Sequence, residues 1–365
     1  MHPYKSLPQY TRWSHSVAGV AYSDLNPIAA FPFKIGYTDK VATAGSCFAQ
    51  HIAKRLRTNG YNYFVTEPGH HYANTELLNK YNYQVYSARY ANIYTTRQLL
   101  QLIERAYDDR RPLDGWWRLP NGRFVDPLRP TIEPRGFSSL EELEADRERH
   151  LKAVRRMFQE LDVFVFTLGL TEAWHDKLDG TVFPVCPGVA GGQFNPERHQ
   201  FVNFRVLDIV SDLRESIKRI QSLNCKARII LTVSPVPLVA TAEDRHVLVS
   251  NTYSKSALRV ACEEISAEFS GAVAYFPSYE LIVGSFNKGR YFAPDLRTVT
   301  VEGVDHVMRV FMESVSSEGS VRQIVDVADA QAGKTLATLN EQQRLVCEEE
   351  LLELSRSHTN AKQQS

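Results

Sequence analysis

Ser46 stands between a short apolar run and an amphipathic stretch, a placement that could arm a hydroxyl for attack on an acyl carbonyl. Val41, Ala42 and Ala44 lead into Gly45-Ser46. Phe48, Ile52 and Leu56 then recur every four residues with Ala49 and Ala53 on the same face, and Gly60 sits where a left-handed C-terminal cap belongs. A strand, a tight turn and a helix would put the hydroxyl at the carboxyl edge of a sheet. The helix amides beside it favour developing negative charge. Serine is equally a common helix N-cap, and on this segment alone both readings stay open.

Other polar and titratable groups follow the remaining strand-like runs. Gly169, Thr171, Glu172 and His175 come after residues 162–168. Ser234, then Glu243, Asp244 and His246, come after residues 228–233, and Ser278 and Glu280 after residues 272–276. In a parallel α/β sheet, ligands collect at the carboxyl ends of the strands, so these residues are expected on one edge with Ser46.

The elements that must position them are legible in outline. Near-continuous apolar runs suit strands buried on both faces, and their alternation with helical stripes predicts an α/β fold with a mostly parallel sheet. Thr95-Thr96-Arg97-Gln98 and Ser139-Leu140-Glu141-Glu142 match capping boxes. Val206, Ile209, Val210, Leu213, Ile217 and Ile220 form one apolar stripe; Val304, Val307, Met308 and Phe311 form another. Residues 1–34 read as an irregular lead-in and residues 35–315 as the main domain. An aromatic-rich insertion over roughly 61–135 is of the kind that forms a substrate-facing cap. Residues 316–365 read as a helical tail with a disordered end. Its leucines would pack on the domain or on a second copy, which makes a homo-oligomer through this C-terminal helix an expectation.

The balance of 42 basic and 42 acidic residues gives no general attraction to nucleic acid or to anionic membranes. No apolar run approaches the roughly 20 residues of a membrane span. The first residues carry no apolar signal segment, and five scattered cysteines suggest no disulfide framework, so a cytoplasmic location is expected. No Cys-x-x-Cys occurs and the adjacent His70-His71 lacks ligand spacing; neither a metal nor another cofactor is expected.

Gly45-Ser46-Cys47-Phe48-Ala49 resembles the name-giving motif of the GSCFA domain, a branch similar to the SGNH (GDSL-like) esterases and acyltransferases. The resemblance extends through residues 88–95, 167–174, 232–235, 253–256 and 275–280 to Asp295, in the expected order. It implies a three-layer, flavodoxin-like α/β sandwich with Ser46 as nucleophile and its backbone N–H in the oxyanion hole. Asn92 falls near the oxyanion block, preceded by Ala91 where family members often carry glycine. Gly169, Thr171 and Glu172 resemble the block Gly-x-Asn-Asp, with Thr171 at the oxyanion asparagine; helix N-capping is the other reading of Thr171 and Glu172.

In the last block, Asp-x-x-His, this chain has Asp295-Leu296-Arg297-Thr298, so the aspartate is present and Thr298 replaces the general base. A serine hydroxyl needs some group to take its proton. His246 is the favoured replacement, ahead of His175, because oxyanion groups are expected at the strand end before His175. His306 is expected to face solvent, roughly 150° from the centre of its own helix stripe. Ser254-Lys255 are neighbours at a helix start facing different ways, and are set aside as a pair. The function so implied is a serine esterase or acyltransferase acting on an O-acylated, carbohydrate-type small molecule. The alternative is a non-catalytic glycan- or protein-binding module.

Overall fold

The computed structural model describes residues 2–316 and Leu351. The lead-in holds a short helix α1 (Trp13–Ser16) before strand β1 (Val41–Gly45) and helix α2 (Ala49–Thr58). The insertion carries α3 (Thr75–Lys80), α4 (Thr96–Tyr107) and a small hairpin of β2 (Trp117–Arg118) and β3 (Phe124–Val125). Helix α5 (Leu140–Glu160) leads to β4 (Val163–Leu168), followed by β5 (Glu172–Asp176), β6 (Val182–Phe183) and β7 (His199–Asn203). Then come α6 (Val206–Leu223), β8 (Arg228–Val233), α7 (Val247–Glu268), β9 (Val273–Phe276), α8 (Ser278–Val283) and α9 (Val301–Val315).

The central sheet has the order β1-β4-β8-β9 and every pairing in it is parallel. Alternate residues feed opposite cores, as the pleat requires. Phe164, Phe166, Ile229 and Leu231 join the side chains of α4, α5, α6 and α7 on one face. Val163, Val165 and Ile230 join those of α2, α8 and α9 on the other. This is the expected three-layer sandwich. Burying each of these large side chains is worth about 1.5–3 kcal/mol, so the sheet is a stiff platform for whatever its carboxyl ends carry. No helix among the described residues is long and apolar enough to cross a membrane.

Several local expectations change. Glu172, just after Thr171, opens a strand rather than a helix: β5 is the middle of an antiparallel sheet in the order β6-β5-β7. The insertion is only partly a cap, because Tyr86, Tyr90, Ile93, Leu99 and Leu102 belong to the main core. Thr95 makes both halves of its capping box, whereas Ser139 caps α5 and Glu142 turns instead to Ser138. His306 is buried, not solvent-facing: its Nδ1 lies 2.6 Å from the Tyr291 hydroxyl and its Nε2 2.8 Å from the Leu25 carbonyl. The lead-in lies over that face of α9, which the helix periodicity alone does not report. The expected helical tail and the contact between copies through it lie outside the described residues, apart from Ser316 and Leu351.

Candidate active site

Three parallel strands end around one small pocket. Ser46 and Cys47 follow β1, Gly169 and Leu170 follow β4, and Ser234, Val236, Pro237 and Leu238 follow β8; Tyr94 and Lys255 complete the lining. The space is about 230 Å³ including its open mouth, and the enclosed part is no larger than a water molecule needs, so a substrate would reach Ser46 from the mouth.

Gly45 sets the turn that presents Ser46. Its φ is +135°, and a Cβ there would lie 2.2 Å from the Thr167 carbonyl oxygen, so only glycine lets β1 run this close to β4. Ser46 is 3% exposed and its Oγ has no hydrogen-bond partner, a costly state for a buried hydroxyl unless something else occupies it in use. It does not cap α2: Phe48 holds the N-cap position, without a side-chain bond. The Ser46 N–H donates to the Thr167 carbonyl at 3.0 Å, prolonging the strand ladder. The oxyanion role expected for that N–H therefore conflicts with its place in the sheet.

Gly169 lies against Ser46. An ideal Cβ at Gly169 would be 3.2 Å from the Ser46 Cβ and 3.1 Å from both Cδ1 and the carbonyl oxygen of Tyr94. The Gly169 carbonyl accepts from Lys255 Nζ at 2.6 Å, and Lys255 is 1% exposed. A buried ammonium or amine thus shares the pocket with the serine. Lys255 lies on the same face of α7 as Leu258, Cys262 and Ile265, all buried. A lysine in an apolar stripe is the signal by which it could have been found. Ser254 does point elsewhere, accepting from the Thr171 N–H at 3.0 Å, so the two are no pair; setting both aside nevertheless lost Lys255.

The other expected residues do not gather here. His246 is exposed at the N-cap of α7, where its Nδ1 accepts from the Leu248 N–H at 3.1 Å. His175 lies in β5, opposite Gln200 and Val182, and does not line the pocket. Asp295 is exposed and closes its own turn. It accepts from the N–H groups of Arg297 and Thr298 and from the Thr298 hydroxyl at 2.5 Å. That hydroxyl, with the two amides, holds the carboxyl below its ordinary range. Arg297 Nε ties the turn to the pocket rim by donating to the Pro237 carbonyl.

Thr171 is buried with its hydroxyl given to Asn203 Oδ1 at 2.6 Å, so it is spent on β7 rather than turned to Ser46. Glu172 accepts from the Thr241 hydroxyl at 2.8 Å, and burial raises its pKa. Asn92 is buried in the wall of a neighbouring cleft, its Oδ1 within 3.4 Å of Gln50 Nε2. Ala91 before it has φ +62°, the left-handed conformation glycine takes without cost, so the glycine-to-alanine change leaves that backbone shape in place. Among the described residues no group of His, Cys, Asp and Glu side chains could hold a metal.

An α/β sheet carrying a serine at the turn between its first strand and helix defines the class of protein. The GSCFA family model matches residues 40–311, and the chain belongs to that family. No curated protein matches it in sequence. Solved structures with a measured similarity include an acetyl esterase holding an acetate ion (11% identity, TM-score 0.24, 47% of this chain and 61% of that one). Others are a Geobacillus acetyl-xylooligosaccharide esterase (15%, 0.32, 79% and 98%) and a Clostridium thermocellum family 3 carbohydrate esterase (11%, 0.28, 81% and 100%). The chain spans less than two thirds of the first of these.

Proposed function

We propose that this protein is a serine-dependent acyl-ester hydrolase or O-acyltransferase for small O-acylated molecules of carbohydrate type, with Ser46 as nucleophile and Lys255 as its base. The observation that carries the reading is the buried, unpartnered Ser46 hydroxyl in a pocket that also holds buried Lys255. Lys255 takes the place expected for His246, which the exposed N-cap position leaves at a distance from the pocket lining. Asp295 then shapes the rim through Arg297 rather than orienting a base.

In the proposed reaction the Lys255 amine, unprotonated, accepts the Ser46 proton as Oγ bonds to the ester carbonyl carbon. The carbonyl π pair moves to oxygen, where the positive end of α2 faces the developing charge. Collapse of the tetrahedral intermediate breaks the bond to the leaving alkoxide, which takes the proton from Lys255. Water or an acceptor hydroxyl then removes the acyl group by the same steps in reverse.

A second reading has its own support. Thr298 stands where a histidine is expected and the Ser46 N–H is engaged with Thr167, as in a fold that binds an acylated glycan or a protein without turnover. A fluorophosphonate probe separates the two. The enzyme reading expects stoichiometric labelling of the wild type and none of Ser46→Ala; an unlabelled wild type that hydrolyses no activated ester would leave only the binding module.

A further inference from the structure

A second cleft lies on the other side of the segment that walls the Ser46 pocket. Tyr94 faces the serine, while Asn92 and Ile93 line this neighbour together with Gln98, Gln101 and Arg105. Its space is about 320 Å³, most of which is open mouth. Arg105 projects from α4 and is 9% exposed, yet its Nε and Nη1 have no hydrogen-bond partner. A guanidinium without acceptors in a low-dielectric wall is one of the more expensive groups a protein can bury.

The charges around it are almost fully matched. Arg129 pairs with Asp126 and Asp146, Arg89 with Asp146, and Arg147 with Asp126. Glu67 accepts from the Arg89 N–H and contacts His150, whose pKa burial lowers to about 4, so this imidazole adds no charge near neutral pH. Arg149 also reaches Asp146, at 3.8 Å, but is mostly solvated. Arg110 is paired with Glu104. Asp126 already accepts from Arg129, Arg147 and the Leu128 N–H; its charge acts on Arg105, but no hydrogen bond joins it to the Arg105 Nε or Nη1. The guanidinium groups of Arg89, Arg105, Arg129 and Arg147 thus face the carboxylates of Glu67, Asp126 and Asp146. Glu133 adds its charge on the Arg89 side of the cluster, and Arg105 is the member whose Nε and Nη1 are left without an acceptor.

We propose that this cleft is an oxyanion-binding site, in which a carboxylate, phosphate or sulfate group of a small ligand supplies the missing partner of Arg105. Donors for the rest of the ligand are near. The Gln98 carbonyl oxygen is held by the N–H groups of Tyr94 and Thr95, which leaves its amide nitrogen as the end able to meet a bound group. Gln101 is fixed at both ends, to Gly180 and Val182, and serves as rigid wall. Because Asn92, Ile93 and Tyr94 are consecutive, an occupied cleft would brace one side of the Ser46 pocket. The site itself stands whether or not Ser46 turns over a substrate.

The test is calorimetric titration of the full chain with phosphate, sulfate and acetate in turn, at constant ionic strength in chloride, on wild type, Arg105→Gln and Arg105→Lys. Saturable binding to the wild type is expected, at least tenfold weaker in Arg105→Gln and intermediate in Arg105→Lys, which keeps the charge but loses the planar donors. The ranking of the three anions tells a carboxylate ligand from a phosphate or sulfate one. Without added anion, Arg105→Gln should melt no lower than wild type, because an unpaired buried charge has been removed. Should that variant fail to fold, a selenate soak of the wild type decides: an anomalous peak within hydrogen-bond distance of the Arg105 guanidinium supports the site. Binding that is equal in all three proteins, or absent in the wild type at tens of millimolar anion with no selenate peak in the cleft, overturns it.

Discussion

Gly169→Ala adds one methyl group at the point where β4 ends against Ser46. The new carbon would meet the Tyr94 carbonyl oxygen and Cδ1 at 3.1 Å and the Ser46 Cβ at 3.2 Å. These are tight contacts rather than impossible ones, so the neighbours must each yield by a few tenths of an ångström. Tyr94 has little freedom, because its carbonyl oxygen accepts from the N–H groups of both Gly169 and Leu170. Ser46 is therefore the side that moves, and its Oγ has no bond to resist. Overpacking of this size costs about 1–2 kcal/mol, which for a domain of this length lowers Tm by about 2–6 °C. Misplacing a nucleophile by a fraction of an ångström costs rate separately, roughly tenfold or more. The assay pairs a thermal melt with the second-order rate of fluorophosphonate labelling. A lower Tm with unchanged labelling would refute the claim that Gly169 sets the position of the Ser46 hydroxyl.

Other consequences follow from the same geometry. Lys255→Met should cut ester turnover about 10²–10⁴-fold, the usual worth of a general base, and should remove the rise of rate with pH that deprotonation of the base produces. Asp295→Ala and His246→Ala should each keep activity within about threefold, since neither lines the pocket; His246→Ala gives up a helix cap worth about 0.5–1 kcal/mol, visible as a small drop in denaturation midpoint. His150 links stability to pH: between pH 6.5 and about 4 the unfolded imidazole binds a proton that the buried one does not. Stability should therefore rise with pH across that window and be lost on acidification, by about 3 kcal/mol in urea titrations, and His150→Gln should flatten the dependence.

The strands of the sheet were legible because buried parallel strands write themselves as unbroken apolar runs; their order was not. Residues 163–168 and 228–233 became β4 and β8 with no exposed residue between their ends. Ser46 was legible for the same reason, since a strand, a glycine and a helix stripe fix a turn. Its base was not. A histidine is sought by residue type, whereas Lys255 is recognised only by where α7 puts it, and a lysine within an apolar stripe is easily taken for a solvated one. The helix N-cap reading of Thr171 and Glu172 failed because a strand–glycine–polar pattern fits a following helix and a following antiparallel strand equally well. The partner of β5 that decides between them, β7, begins at His199, far along the chain. His306 shows the converse limit, as its burial depends on a lead-in nearly three hundred residues away.

The central claim is that Ser46 is a nucleophile armed by Lys255. Peptide mapping by mass spectrometry, after fluorophosphonate treatment across a range of pH, tests it most directly. The account predicts a single adduct on Ser46 whose rate rises with pH in the wild type and falls at least a hundredfold in Lys255→Met. An adduct on another residue, no adduct at all, or a Ser46 adduct formed equally fast without Lys255 would contradict it.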